Sequence, residues 1–162
     1  MEKTQKKRRE IIGTTLDHLV REGFRNSGIR ALAKSVGISD RMLIHYFGTK
    51  EELIKAALLA LAEGFTASLD AALPAKTTSG KKIVAAMVRL ALEAEGRPAL
   101  ELWLEVVGLA VRGDEPYQSV ARLFLDQWEQ WITDKLPADQ KHRASDILAR
   151  IEGEVMLKLL RS

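Results

Sequence analysis

The stretch that most constrains this chain runs from Ser27 to Lys50, SGIRALAKSVGISDRMLIHYFGTK. It holds two short helical patterns with one glycine between them. Ile29, Leu32 and Ala33 recur at helical spacing, so residues 28–35 are expected to form a helix capped by Ser27. Gly37 is expected to end it, because a tight turn there needs a left-handed backbone that glycine adopts at little steric cost. Ile38 then plugs the turn, and Ser39 is the expected cap of a second helix over residues 40–47. Asp40 falls in the first turn of that helix, where a carboxylate is electrostatically favoured. Leu43 and Phe47 stand four apart and share its inward face. The pattern is a helix-turn-helix with a scaffold attached.

The flanking sequence supplies the scaffold. Residues 6–22 read as a helix with Ile12, Leu16, Leu19 and Val20 on one face, stopped by Gly23 and followed by Phe24 as a core anchor. Thr49-Lys50-Glu51-Glu52 is a capping box, with Thr49 as cap and Glu52 reaching back. It opens a long helix to about Leu73, ended by Pro74, that would span roughly 36 Å. Leu53, Ala57, Ala60 and Leu61 form its apolar stripe. The segment AKTTSGKK reads as a loop. Further helices are expected over about 81–95, 99–111, 117–136 and 138–160, with breaks at Gly96-Arg97-Pro98 and at Arg112 to Pro116. Residues 99–111 are heavily apolar, a breadth that implies burial on several sides. Gly153 sits inside the last helix, where a close helix crossing would offset its cost of about 1 kcal/mol relative to alanine. The last two long helices suit an intrachain core and a four-helix dimer seam equally well by pattern, and a paired head favours the dimer. No strand alternation, repeat or low-complexity tract interrupts this layout.

Composition narrows the chemistry. The chain has no cysteine, which excludes disulfides and thiol catalysis and suits a reducing, cytoplasmic setting. No stretch is apolar enough for a membrane span, and MEKTQKKRREII lacks a signal-peptide core, so no membrane partner is expected. The histidines, His18, His45 and His142, stand in no metal-binding spacing. There is no nucleophile elbow and no phosphate-cradling glycine loop. The expectation is a protein that is not an enzyme, with no cofactor, metal or catalytic residue. Charge is unevenly spread: residues 1–50 carry eleven Lys/Arg against five Asp/Glu, and residues 51–162 carry fourteen against seventeen. A basic head on a mildly acidic body suits binding of a phosphate backbone by the head. A solvated surface is the plainer explanation of the same asymmetry.

In a helix-turn-helix the second helix enters the major groove while its neighbours pin the backbone. Ser39, Asp40, Arg41, Met42, Ile44 and His45 are the exposed candidates. Arg41 can read guanine O6 and N7 or grip a phosphate. Met42 can meet a thymine methyl, and Ser39 can donate to a phosphate or base edge. Asp40 repels phosphate unless it accepts from cytosine N4 or serves only the helix end. His45 and Tyr46 are placed for phosphate contacts, and Lys50 is a natural phosphate ligand aided by the amides of its helical turn. Ser27 and Arg30 open the preceding helix, which crosses the backbone. Lys6, Lys7, Arg8 and Arg9 form an arm or first turn near the duplex, within reach of the minor groove. For each residue an ordinary role stands beside this one: Tyr46 as core aromatic, His45 bonded to a local carbonyl, Arg41 as plain surface.

The span from about Arg9 to Leu58 resembles the TetR family of transcriptional regulators. The matching words are IIGTTLDHLVREGFRNSGIRALAKSVGIS and LIHYFGTKEELIKAAL, with the family's aromatic step standing as Tyr46-Phe47-Gly48-Thr49-Lys50. The resemblance implies an all-α chain: a three-helix DNA-binding head over residues 1–49, joined by a long helix to a helical-bundle dimerisation and ligand domain over residues 50–162. It implies a homodimeric repressor on a near-palindromic operator in double-stranded DNA, released by a ligand that shifts the linking helix. It places backbone-gripping positions on Ser27, His45, Tyr46 and Lys50, and groove-reading positions on Ser39, Asp40, Arg41 and Met42. The chain departs from the family pattern at Asp40, Arg41 and Ile44, where a base, a glycine and an aromatic are usual. A small hydrophobic or amphipathic effector would be lined by Met87, Trp103, Trp128 and Trp131, anchored by Arg97, Glu101 or Glu105; core packing is the alternative for the same residues. The competing function is a helical protein–protein interaction module whose head no longer binds DNA.

Overall fold

The helical spacings become eight α-helices in the computed structural model, which describes residues 2–73 and 77–161. They are α1 (Glu2–Glu22), α2 (Ile29–Val36), α3 (Asp40–Phe47), α4 (Lys50–Ala72), α5 (Gly80–Leu92), α6 (Arg97–Ala110), α7 (Tyr117–Lys135) and α8 (Ala144–Arg161). No strand occurs among the described residues, so the fold is all-α. Pro74, expected to end α4, lies outside the described residues, as do Ala75 and Lys76 of the loop after it.

Several boundaries move. The first helix begins at Glu2 rather than residue 6, because Lys, Arg, Gln and Glu are good helix formers and extend it through the charged run. Its deepest row is Ile11, Thr15 and Leu19, one residue round from the expected face. Thr15 is the polar member that an apolar count passes over. In α4 the buried row is Leu53, Ile54, Ala57, Leu58 and Ala62, whereas Ala60 and Leu61 are half-buried at its edge. Helix α6 starts at Arg97 with Pro98 in its first turn, where a missing N–H costs nothing. The segment expected as one last helix from residue 138 is a 3₁₀ segment, Ala138–Arg143, followed by α8. Gly153 marks no close crossing within the chain: a Cβ there would meet nothing within 4 Å. The close approach is at Gly80, whose added Cβ would lie 2.7 Å from Ile147 Cδ1 of α8.

The chain divides into two compact units, Met1–Glu63 with Glu101–Ala121, and Gly64–Leu100 with Arg122–Ser162. Helices α4, α6 and α7 each contribute residues to both. In the first unit α1, α2 and α3 pack in sequence. Behind them, the backbone N–H of Phe24 donates to Glu105 Oε2 of α6 at 3.0 Å. The Phe24 ring, half-buried, meets Tyr117 of α7 edge-on at 4.8 Å. Burial pushes the Tyr117 phenol pKa up, and the carboxylates of Glu51, Asp114 and Glu105 add to the rise. Gly23 makes this latch possible. Its φ of 63° and ψ of −168° suit glycine alone, and a Cβ would sit 2.6 Å from Glu105 Oε1.

In the second unit α5 packs on α8. Trp128 stands tilted against both Phe65 and Phe124, each at 5.7 Å between ring centres. The ends of α4 and α7 are tied by one cluster. Lys135 Nζ donates to the Leu73 carbonyl and pairs with Asp70 Oδ1, both at 3.0 Å, and the Trp131 indole N–H donates to the same carboxylate at 3.0 Å. The Lys135 and Trp131 hydrogen bonds hold the Asp70 carboxyl below its ordinary value of 3.8.

Gly23→Ala is expected to lower stability by about 1–3 kcal/mol, the cost of a glycine-only backbone conformation, read as a fall in chemical or thermal unfolding free energy. Asp70→Asn is expected to cost under about 1 kcal/mol, because the carboxylate is more than half exposed and screened by solvent. Its folded-state pKa is depressed, so its stabilising share is present above pH 3.8 and is lost as pH falls through the lowered value. Unfolding curves of wild type and Asp70→Asn should therefore differ at pH 7 and converge in strong acid.

Candidate DNA-binding surface

Gly37 takes the left-handed conformation, φ 75° and ψ 30°, and closes α2. The Gly37 N–H donates to the Lys34 carbonyl at 3.2 Å, and the Ile38 N–H to the Ala33 carbonyl at 3.1 Å. This pair of bonds is a Schellman closure, which sets the direction in which the chain leaves α2. Ser39 caps α3 as expected, its Oγ accepting from the Met42 N–H at 3.3 Å. The same hydroxyl keeps its proton for an outside acceptor. Leu43 and Phe47 are buried, which turns the opposite face of α3 outward. Arg41 and His45 are exposed there, with Met42 at 41% and Ile44 at 42% exposure. Two large apolar side chains thus stand open on an eight-residue helix. Gly48 ends α3, and Thr49 Oγ1 accepts from the Glu52 N–H at 3.1 Å to start α4.

Between α3 and the start of α4 lies an open groove of about 650 Å³. Asp40, Arg41, Ile44 and Lys50 line it together with Ile29, Gly48, Thr49 and Glu51. The last four were not among the sequence candidates; Thr49 and Glu51 read there only as helix-capping residues. The groove's charges are balanced. Arg30 Nε lies 3.8 Å from Asp40 Oδ2, and Lys50 Nζ lies 3.5 Å from Glu51 Oε1. Both pairs are solvent-exposed, so each attraction is weak and either cation can change partner.

The C-terminal end of α3 departs from expectation. Lys6, Lys7, Arg8 and Arg9, expected as an arm or a first helical turn, are part of α1. The Arg8 guanidinium donates to the Tyr46 carbonyl and stacks over the Phe47 ring, 4.4 Å from its centre. Its charge thus serves the end of α3, where a cation offsets the helix dipole. Tyr46 is half-buried, and its ring meets His45 edge-on at 5.6 Å.

Ser27 is set apart from the other candidates. Gly28, not Ser27, holds the cap position of α2, because the chain between α1 and α2 turns through a 3₁₀ segment, Phe24–Asn26. The Ser27 hydroxyl donates inward to the Phe24 carbonyl at 2.8 Å, and the residue is buried. The ligand candidates are also divided. Met87, Trp103 and Trp128 are buried, Trp131 is half-buried with its indole N–H on Asp70, and Trp103 belongs to the first unit while the other three belong to the second. Of the polar anchors, Glu105 is engaged by Phe24. Among the described residues no group of three His, Asp or Glu side chains is placed to hold a metal, and no helix is long and apolar enough to cross a membrane.

Residues 11–57, the span that builds this surface, match the family model of bacterial regulatory proteins, tetR family. No curated protein matches the chain. Among solved structures, SCO7518 of Streptomyces coelicolor A3(2) is similar at 22% identity and a TM-score of 0.76, covering 93% of this chain and 85% of its own. A transcriptional regulator from Rhodococcus sp. Rha1 is similar at 20% identity and a TM-score of 0.73, covering 96% and 84%. A protein of Saccharomonospora viridis solved in complex with choline is similar at 19% identity and a TM-score of 0.72, covering 96% and 86%. These three likenesses are of fold.

Proposed function

We propose that this chain, whose residues 11–57 match the tetR family of bacterial regulatory proteins, is a homodimeric, sequence-specific repressor of transcription, acting in the cytoplasm and released by a small ligand. Its general character as a helix-turn-helix DNA-binding regulator is the premise; the pairing, the specificity and the switch are the proposal. The observation that carries it is the outward face of α3. Arg41, Met42, Ile44 and His45 stand free on a helix whose other face is locked by Leu43 and Phe47.

In this reading α3 enters the major groove. Arg41 reads guanine, Met42 and Ile44 meet thymine methyl groups, and Ser39 and Asp40 act at the N-terminal end of the helix. His45, Tyr46 and Lys50 hold phosphates, and Arg30 grips the backbone from the start of α2. Ser27 supports the turn from inside. Residues 1–49 form the DNA-binding part and residues 50–162 the dimerisation and ligand part. A single head this small binds weakly, and a second head joined to it raises the local concentration of the pair. Helix α8 offers the joining surface: Gly153, Met156, Leu157 and Leu160 follow one another at helical spacing, and the three large side chains are exposed. A Cβ added at Gly153 meets nothing in its own chain, which leaves room for a partner helix. A small hydrophobic or amphipathic effector belongs to the aromatic second unit, around Met87, Trp128 and Trp131. That a protein of this fold was solved with choline supports a ligand site in such a body.

The balance of charge in the groove favours a second reading, a protein–protein interaction module with a degenerate head. One experiment separates the two. Bound sequences are selected from a random duplex pool with the full chain. A two-fold symmetric consensus, with half-sites about 34–36 Å apart or a larger multiple of the helical turn, is expected. Recovery of no consensus favours the interaction module. On the selected duplex, Lys50→Ala should weaken binding to all sequences alike, while Arg41→Ala should also relax the base preference by about 1–3 kcal/mol at one position per half-site. Equal losses for Arg41→Ala on selected and random duplexes would remove it from base reading.

A further inference from the structure

The groove beside α3 carries Arg41 and Lys50 against Asp40 and Glu51, so it supplies little net attraction for a polyanion. Residues 1–50 nevertheless hold eleven Lys/Arg against five Asp/Glu. Much of that excess sits in the first three turns of α1, where Lys3, Lys6, Lys7, Arg8 and Arg9 face only Glu2 and Glu10. Lys3, Lys6, Lys7 and Glu10 follow one another at helical spacing and share a face. With Thr4 and Tyr46 they line a second open groove, of about 460 Å³. Tyr46 is the next residue after His45 on α3, so this groove opens at the C-terminal end of the helix proposed to read bases.

We infer that the lysine face of α1 is a separate phosphate-binding surface, which seats the DNA backbone in the groove between Lys3, Lys6, Lys7 and Tyr46 and supplies the sequence-independent grip that the charge-balanced α3 groove lacks. The inference rests on the DNA-binding reading and deepens it. The face is preorganised. Arg8, on the same two turns of helix, is bonded to the Tyr46 carbonyl and stacked on Phe47, so α1 is pinned to the end of α3 before any ligand arrives. Binding there requires no folding of an arm and little ordering cost beyond the lysine side chains. Lys7 Nζ lies 3.3 Å from Glu10 Oε2, with both side chains roughly half exposed. A pair that open to solvent is weak, and the ammonium can exchange the carboxylate for a phosphate. Glu10 therefore tempers the face.

The test uses the full chain and two probes, the duplex recovered by selection and a random-sequence duplex, titrated by fluorescence anisotropy over a range of salt. The variants are Lys3→Gln/Lys6→Gln/Lys7→Gln and Glu10→Gln, with helicity checked by circular dichroism. Each phosphate contact contributes about 0.9 to the slope of log affinity against log salt. The triple variant is expected to flatten that slope by about 2–3 on both duplexes, leaving the ratio between them unchanged. Glu10→Gln is expected to tighten both severalfold. An unchanged slope in the triple variant overturns the inference, as does a loss confined to the selected duplex, which would place the lysines on base edges. If wild type binds both duplexes equally and the triple variant still flattens the slope, the surface stands and the sequence-specific reading fails. If wild type binds neither duplex at low salt, both fail.

Discussion

An eight-residue helix has no stability of its own in water, since nucleation is unfavourable and isolated helices of that length are marginal. Helix α3 exists because Leu43 and Phe47 are buried and because both of its ends are closed by other parts of the chain. Ser39 and the Gly37 turn hold the start; Arg8 and Gly48 hold the finish. The proposed contacts of α3 with DNA depend on that anchoring. The outward side chains are free to meet a partner because none of them is needed to keep the helix in place.

On the proposed reading, sequence-independent grip falls mainly to the α1 face and base reading to α3. The α3 groove pairs two cations with two anions, an arrangement that penalises indiscriminate attraction to phosphate and rewards geometric fit. The α1 face has the opposite bias. Such a division would let sequence preference change at Arg41 or Met42 without loss of general affinity, and affinity change at the lysines without loss of preference.

The local turn chemistry was the most legible part of the sequence. Glycine at position 37, serine at 39 and threonine at 49 each have a backbone or capping role that holds within a few residues, and the limits of α3 follow from them to the residue. The apolar rows were legible in kind but displaced in phase. Thr15 is polar and Ile54 lay beside the chosen stripe, and both proved buried, because the direction in which a helix leans is set by its neighbours rather than by its own period. Relations between distant residues were not legible. Nothing local says that Arg8 closes α3, that Glu105 answers the amide of Phe24, or that Asp70 gathers Trp131 and Lys135. Ser27 shows the cost of a local rule applied alone: its hydroxyl was free to cap α2 but turned to the Phe24 carbonyl in the 3₁₀ turn before it.

The latch behind the head bears on how such proteins can be recombined. Phe24 lies at the joint between α1 and α2, yet its amide is satisfied by a side chain eighty-one residues further along, and its ring leans on Tyr117. A head excised at the linking helix would leave that amide and that ring uncovered. Chimeras that graft this helix-turn-helix head onto another helical body therefore have to carry residues 101–121 with it, or provide a carboxylate and an aromatic in their place. Modularity in this fold follows spatial neighbours, and the joint for cutting is not where the chain's own order suggests.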